Sequence, residues 1–483
     1  VTTAPTGGPE RRPWLAGFAA LNALSAWGGA IGVAVGAVDF GPAINDRLPF
    51  DSLVLAALAL ASIVAIPLSV LAWSAWTGSS RTGDLALVAG VMLCGWIVGQ
   101  VVVIRSFSFF QPVYLVIGGA FVAASRRVHL GPRRRGTLLV VGGSVLAAVG
   151  VGLVPHVFKV GLAAWSVVSV VLLLVGIAAV VVGAWSALRG GSLPARVGGA
   201  VATLAAVLVA VSVVAPAVAA TAVPDTVVTT TPAAHGLTYE SVTVTTADGV
   251  DLAAWYVPGT NGAGVVVAHG AGSTRSSVLD EAAVLARAGY ALVLVDARGH
   301  GDSGGTAMDF GWYGDLDLTA ATAYLAARPD VDADRIGVVG FSMGGEQAVG
   351  AAAADARIRA VVAEGATARQ AADKAWLSDV YGWRGWVQEQ LERVQYGVAD
   401  YLTEASPPTV LRDAVAKAQD AQFLLIAAGT MDDEEHAASF IREGASDRVA
   451  VWTVAGAAPA GGYEAQPDAW ERRVVGFLDA NLG

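Results

Sequence analysis

The segment Gly340-Phe341-Ser342-Met343-Gly344-Gly345 holds the residue best placed for covalent chemistry. A G-x-S-x-G at a strand-to-helix turn is a nucleophile elbow: the tight turn pushes the serine hydroxyl out at the positive end of the next helix. Both flanks fit. Residues 335–339 read Arg-Ile-Gly-Val-Val, an apolar run of strand type, and residues 346–354 are rich in Ala and other helix formers. A serine in that position attacks a carbonyl only if a base takes its proton. Three other stretches carry polar groups suited to a site: His269-Gly270-Ala271-Gly272, the run Asp296-Ala297-Arg298-Gly299-His300-Gly301-Asp302-Ser303, and Asp432-Asp433-Glu434-Glu435-His436.

These stretches fall at the ends of predicted strands. Residues 239–246 and 252–257 alternate around Ala-Asp-Gly, a hairpin signal. Short apolar strands are expected at 264–268, 291–295, 358–363, 422–428 and 449–454. Helices are expected at 279–288, 314–327 and 468–482. Strands alternating with helices predict a mostly parallel sheet with helices on both faces. Residues 365–411 break that rhythm and contain Trp376, Tyr381, Trp383, Trp386, Tyr396 and Tyr401.

The His-Gly after the third strand, the Asp-x-Arg-Gly-His-Gly-x-Ser after the fourth and the serine turn together resemble the α/β-hydrolase superfamily, near its serine esterase and peptidase-like members. The resemblance covers residues 237–483. It implies Ser342 as the nucleophile that forms an acyl-enzyme. The backbone N–H groups of Met343 and Ala271 would be the oxyanion donors. Asp432 would be the triad acid, with Asp433 second. His269 and His300 would brace loops. Residues 365–411 would form a cap whose aromatic residues bind acyl or other apolar groups; extra helices packing on the core are the simpler reading.

The resemblance fails at one point. After the last strand, relatives read approximately Gly-Ala-Gly-His, the histidine being the base. Here the sequence is Gly456-Ala457-Ala458-Pro459-Ala460-Gly461-Gly462, and no histidine follows His436. Pro459 occupies the base position and can neither accept nor donate the proton. Loss of a triad member lowers the rate by roughly 10⁴–10⁶. His436, four residues after Asp432, is a candidate substitute base, and its alternative is a solvated helix position. His269 is a weaker candidate.

The first half has a different character. Over all 483 residues mean hydropathy is +0.58, too apolar for an ordinary soluble chain. Residues 1–236 hold 13 Lys+Arg and 6 Asp+Glu, and residues 237–483 hold 17 and 34. After a polar, Pro-rich tail (1–13), seven membrane spans are predicted: 14–38, 52–76, 84–104, 107–124, 137–158, 162–188 and 196–223. The first apolar run is too long for a cleavable signal peptide. With the N-terminus cytoplasmic, inner loops hold ten cations (Arg11, Arg12, Arg81, Arg126, Arg127, Arg133, Arg134, Arg135, Arg189, Arg196). Outer loops hold three (Arg47, Arg105, Lys159). That orientation leaves the hydrolase-like half outside a bacterial plasma membrane, after a Thr/Pro-rich extended linker (224–236). Almost no ionisable residue falls inside a span, so a proton or ion pathway has little support. Pro67 is expected to kink its helix. Gly28, Gly29, Gly32 and Gly36 are expected to let helices approach closely.

The acidic second half argues against nucleic acid as a partner. No metal spacing, phosphate loop or cofactor fingerprint is present, and Cys94 is the single cysteine. The expected partners are the lipid bilayer and either a hydrophobic acyl substrate or a membrane protein. Three readings stand. The first is a working serine hydrolase or acyltransferase on esters, thioesters or amides with a non-standard base. The second is a catalytically impaired domain kept as a binding or scaffold module. The third is a functional helical bundle regulated by the hydrolase-like half.

Overall fold

A computed structural model describes residues 11–38, 48, 52–104, 108, 110–125, 132–159, 161, 163–221, 224, 226–305, 309–402 and 405–483. Of the loop cations above, Arg47, Arg105, Arg126 and Arg127 lie outside the described residues, as does the side chain of Tyr401. The chain divides into two compact units, one chiefly within residues 1–218 and the other chiefly within 219–483.

The first unit is helical. Six of its helices are long and apolar enough to cross a membrane: Pro13–Ala34, Leu53–Thr77, Thr82–Val101, Pro132–Phe158, Ala164–Leu188 and Leu193–Ala220. The predicted fourth span is the helix Phe110–Ala124, whose 15 described residues fall short of the ~20 that a hydrocarbon core of ~30 Å requires. At Pro67 the helix accommodates the missing N–H with a π-helical turn, Ala61–Ala65, in which Ile66 N–H reaches back to Ala61 O. Of the glycines expected to admit a neighbour, Gly29 faces another helix, a Cβ there lying 3.4 Å from Leu60 Cδ2, but closer approach occurs elsewhere. A Cβ added at Gly28 or Gly36 would meet nothing within 4 Å, whereas one at Gly143 would lie 2.7 Å from Gly176 O. The helices Pro132–Gly152 and Ala164–Leu188 cross there, glycine on glycine.

The second unit has the architecture that its strand pattern predicts. Eight strands form one sheet: β1 (Glu240–Thr245), β2 (Asp251–Val257), β3 (Gly264–Ala268), β4 (Ala291–Val295), β5 (Ile336–Phe341), β6 (Ile358–Glu364), β7 (Gln422–Ala428) and β8 (Val449–Val454). Their order is β1-β2-β4-β3-β5-β6-β7-β8. β2 runs antiparallel to both neighbours, and all pairs from β4 to β8 are parallel. β5 is buried along its whole length, as a central parallel strand covered on both faces must be. One face carries the helices Gly314–Ala326, Met343–Ala354 and Leu411–Lys417; the other carries Leu279–Arg287 and Pro467–Leu482. The linker is docked on this unit. Ser276 Oγ donates to Thr230 O (3.0 Å), Thr226 Oγ1 donates to Ser273 O (3.2 Å), and Pro232 is buried. Thr/Pro composition forecasts a segment without a long helix, but it does not forecast whether that segment packs.

Candidate active site

Ser342 lies at the turn between β5 and the helix Met343–Ala354 with φ 51° and ψ −120°, a strained backbone position. For a non-glycine residue this costs on the order of 1–3 kcal/mol, supplied by the surrounding packing. Its N–H donates to Glu364 O (2.7 Å), and its carbonyl accepts from Gly345 N (2.8 Å) and Glu346 N (3.1 Å). The flanking glycines are there for space. A Cβ on Gly344 would sit 2.5 Å from Ala268 O and 2.7 Å from His269 O, and one on Gly340 would run into Gly344 O. The serine is half-buried.

The loop after β3 passes beside it. A Cβ on Gly270 would lie 3.3 Å from Ser342 Cβ and 3.9 Å from Oγ. Ala271 follows directly, and Met343 N–H, first of its helix, has no intrahelical acceptor. Of the two predicted oxyanion donors, Met343 directly follows the serine in sequence, and Ala271 follows Gly270, whose Cβ position lies beside the serine. His269 Nε2 accepts from Ala297 N (3.1 Å) while Nδ1 donates to Gly270 O (2.8 Å). His300 Nε2 accepts from Gly272 N (2.9 Å) while Nδ1 donates to Arg298 O (3.0 Å). A ring nitrogen that accepts from a backbone N–H is not free to take a proton. Both histidines brace loops through both ring nitrogens, and His269 Nε2 is engaged with Ala297 N.

The loops after β7 and β8 touch each other. Gly429 N donates to Val454 O (2.9 Å), and Thr430 Oγ1 donates to Ala457 O (2.6 Å). Asp432 begins the helix Asp432–Arg442 and is exposed. Asp433 accepts from Tyr381 Oη (2.5 Å). His436 sits one turn on, its ring 5.5 Å from Trp376 and 6.4 Å from Tyr381. Pro459 is exposed at the tip of the β8 loop, next to Ala460 at φ 52°. That loop reaches the site: a Cβ on Gly365 would lie 3.6 Å from Ala460 N, 3.8 Å from Ser342 Cα and 3.8 Å from Glu434 Oε2. Ser342 Oγ has no hydrogen-bond partner among the described residues.

Three buried carboxylates, Glu364, Glu434 and Glu346, and the half-buried Glu281 lie in this unit, and of these only Glu434 was singled out by motif. Glu364, at the end of β6, holds the β8 loop: Oε1 accepts from Gly462 N (2.6 Å) and Oε2 from Trp470 Nε1 (3.0 Å). Burial raises its pKa. Glu434 accepts from Ala428 N (2.8 Å). Glu346, on the serine's own helix, accepts from Thr367 N (3.1 Å) and Ala368 N (2.9 Å), and burial pushes it up to about 7. Glu281 is also pushed to about 7, by burial first and by the charges of Glu364 and Asp280 after that; its Oε2 is buried with no hydrogen-bond partner. The readable signal for Glu364 was an acid closing the otherwise apolar run Ala360-Val361-Val362-Ala363.

The insertion after β6 is helical, with Leu377–Tyr381 and Trp383–Leu402. Its aromatic residues do not gather into one lining. Trp376 packs on Tyr381 and His436. Tyr396 stacks with Trp312 (6.4 Å) and lies against Phe310 (5.3 Å). Trp383 and Trp386 face outward. A small crevice lined by Arg298, Tyr313, Asp317, Met343 and Gln347 adjoins the serine helix and does not include Ser342.

Parts of the chain are similar to known proteins. Residues 259–425 match the sequence model of the family described as serine aminopeptidase, S33. An uncharacterized protein of Mycobacterium tuberculosis is 37% identical over 114 residues, 23% of this chain and 40% of that protein. A thiohydrolase of Aspergillus aculeatus is 32% identical over 134 residues, 26% and 41% respectively. The chain thus spans about 40% of the length of the curated relatives it matches. Among solved structures, an esterase of Pyrococcus furiosus is similar at 24% identity, with a TM-score of 0.43, over 54% of this chain and 97% of that one.

Proposed function

From the premise that residues 237–483 form an α/β-hydrolase domain, we propose that this protein is a membrane-anchored serine hydrolase-like protein, impaired in turnover. Its site recognises the carbonyl of an ester, thioester or amide and holds the oxyanion with Met343 and Ala271 N–H. It transfers the Ser342 proton slowly because, among the described residues, Ser342 Oγ has no hydrogen-bond partner to take it. The observation that carries this reading is the unpartnered Ser342 Oγ beneath a loop that presents Pro459. Support for an acyl substrate comes from the matched family, described as serine aminopeptidase, and from a relative described as a thiohydrolase. Support for the anchor comes from six helices of membrane length and composition.

In the attack, Ser342 Oγ adds to the carbonyl carbon and its proton must leave. With Pro459 in place that proton passes to water, and the two N–H donors supply most of the remaining catalysis. An alternative is a binding or scaffold module with no turnover, favoured by the same Pro459. A fluorophosphonate probe separates the two. Slow, saturable labelling that Ser342→Ala abolishes supports an impaired enzyme. No labelling of the folded chain at any pH from 6 to 10 supports the module.

A further inference from the structure

The helix Trp383–Leu402 is amphipathic the wrong way round. At 100° per residue, Gly385, Glu389, Glu392 and Tyr396 share one face, and Trp383, Trp386, Val387 and Val394 share the opposite one. The inward face is the polar one. Glu389 accepts from Ser378 N (2.8 Å), Glu392 pairs with Lys374 (2.7 Å), and Tyr396 is buried. The outward face is apolar and uncovered: Trp383 is 76% exposed, Trp386 56%, Val394 52% and Val387 40%. Val380 and Tyr381, on the preceding short helix, extend it. A surface of this kind marks an interaction site.

The occupant follows from chemistry and charge. Over residues 383–397 the exposed charged side chains are Arg384 and Arg393, with no exposed acid, in a half of the chain that carries 34 acidic residues against 17 basic. The exposed acids nearby are Asp379 on the preceding short helix, Asp400 near the far end of this helix, and Asp433, which accepts from Tyr381 Oη. Indole rings flanked by long cations suit the boundary between phospholipid headgroups and acyl chains. The two indoles together expose on the order of 300 Å². The same chain bears six membrane-length helices, so even weak affinity for a bilayer is enough to hold this face against it. We propose that the outward face of Trp383–Leu402, led by Trp383 and Trp386, is a lipid-docking surface that lies in the headgroup–acyl boundary of a phospholipid bilayer. The assignment is independent of whether Ser342 turns over.

The test uses the full chain, with Cys94→Ala, in vesicles of phosphatidylcholine and phosphatidylglycerol. Single cysteines replace Trp383, Val175 in the helix Ala164–Leu188, or Asp447 on an exposed loop, and each carries an environment-sensitive dye. Spin-labelled lipid is expected to quench the dye at 383 at least threefold more than at 447, and Trp386→Ser is expected to reduce that difference at least twofold. The dye at 175 reports separately whether the apolar helices are in the bilayer. Quenching at 175 with none at 383 overturns the proposal. Protection at 383 that grows with protein density but is insensitive to spin-labelled lipid also overturns it, in favour of a second copy.

Discussion

Replacing Glu281 by glutamine is expected to stabilise the hydrolase domain at pH 8 and to change little at pH 4.5. The carboxyl lies in the first turn of Leu279–Arg287, where the helix dipole favours its charge, yet burial dominates and raises its pKa from 4.5 to about 7. Below pH 4.5 both folded and unfolded chains hold the proton, and the group has no cost. Between 4.5 and 7 the unfolded chain releases it first, so stability falls as pH rises; above 7 the loss is complete and constant. A shift of about 2.5 units corresponds to about 3 kcal/mol at pH 8. Glutamine keeps the shape, removes the charge and removes this loss. The assay is thermal unfolding of the full chain in detergent, followed by tryptophan fluorescence. For a domain of this size, about 3 kcal/mol moves the transition by roughly 6–12 °C. The expected result is an upward shift of that order at pH 8, shrinking to within about 2 °C at pH 4.5. An equal shift at both pH values, or a downward shift at pH 8, refutes the reasoning.

Three further outcomes are expected. Gly344→Ala places a methyl 2.5 Å from Ala268 O; it should lower stability by about 1–3 kcal/mol and abolish fluorophosphonate labelling of Ser342. Glu364→Leu leaves Gly462 N–H and Trp470 Nε1–H without their acceptors. The cost should be about 2–6 kcal/mol in a chemical denaturation series, and a shift below 1 kcal/mol would remove Glu364 as the anchor of the β8 loop. His436→Ala should leave the labelling rate of Ser342 within twofold, because its ring packs against Trp376 and Tyr381; a tenfold loss would make His436 the base.

Much of the second unit was legible because its signals are local. Apolar runs closed by turn residues give β3, β4, β7 and β8 at their observed ends, and the spacing of Gly340 and Gly344 around Ser342 reports a backbone crossing that no side chain fits. The less legible features depend on which face meets what. Gly28 and Gly143 look alike in sequence, but only the second has another helix against it. Trp376, Trp383 and Tyr396 share composition and neighbourhood, yet one packs on His436, one faces out and one stacks on Trp312. Glu281 and Glu364 are remote in sequence and gain their roles from tertiary burial. Pro459 was the reverse case: its meaning came from the motif position, and the structure adds its loop's contact with Gly365 beside Ser342.

The central claim is that the serine site is complete except for its base, and Pro459→His addresses it most directly. Pro459 is exposed, so the imidazole has room, and the neighbouring loop begins the helix that carries Asp432. The measurement is hydrolysis of a short-chain p-nitrophenyl ester by the full chain in detergent, for wild type, Pro459→His and Pro459→His with Ser342→Ala. The account predicts at least a hundredfold gain in kcat/KM for the single variant and its loss in the double one. A wild-type rate equal to that of Pro459→His, lost on Ser342→Ala, would contradict it.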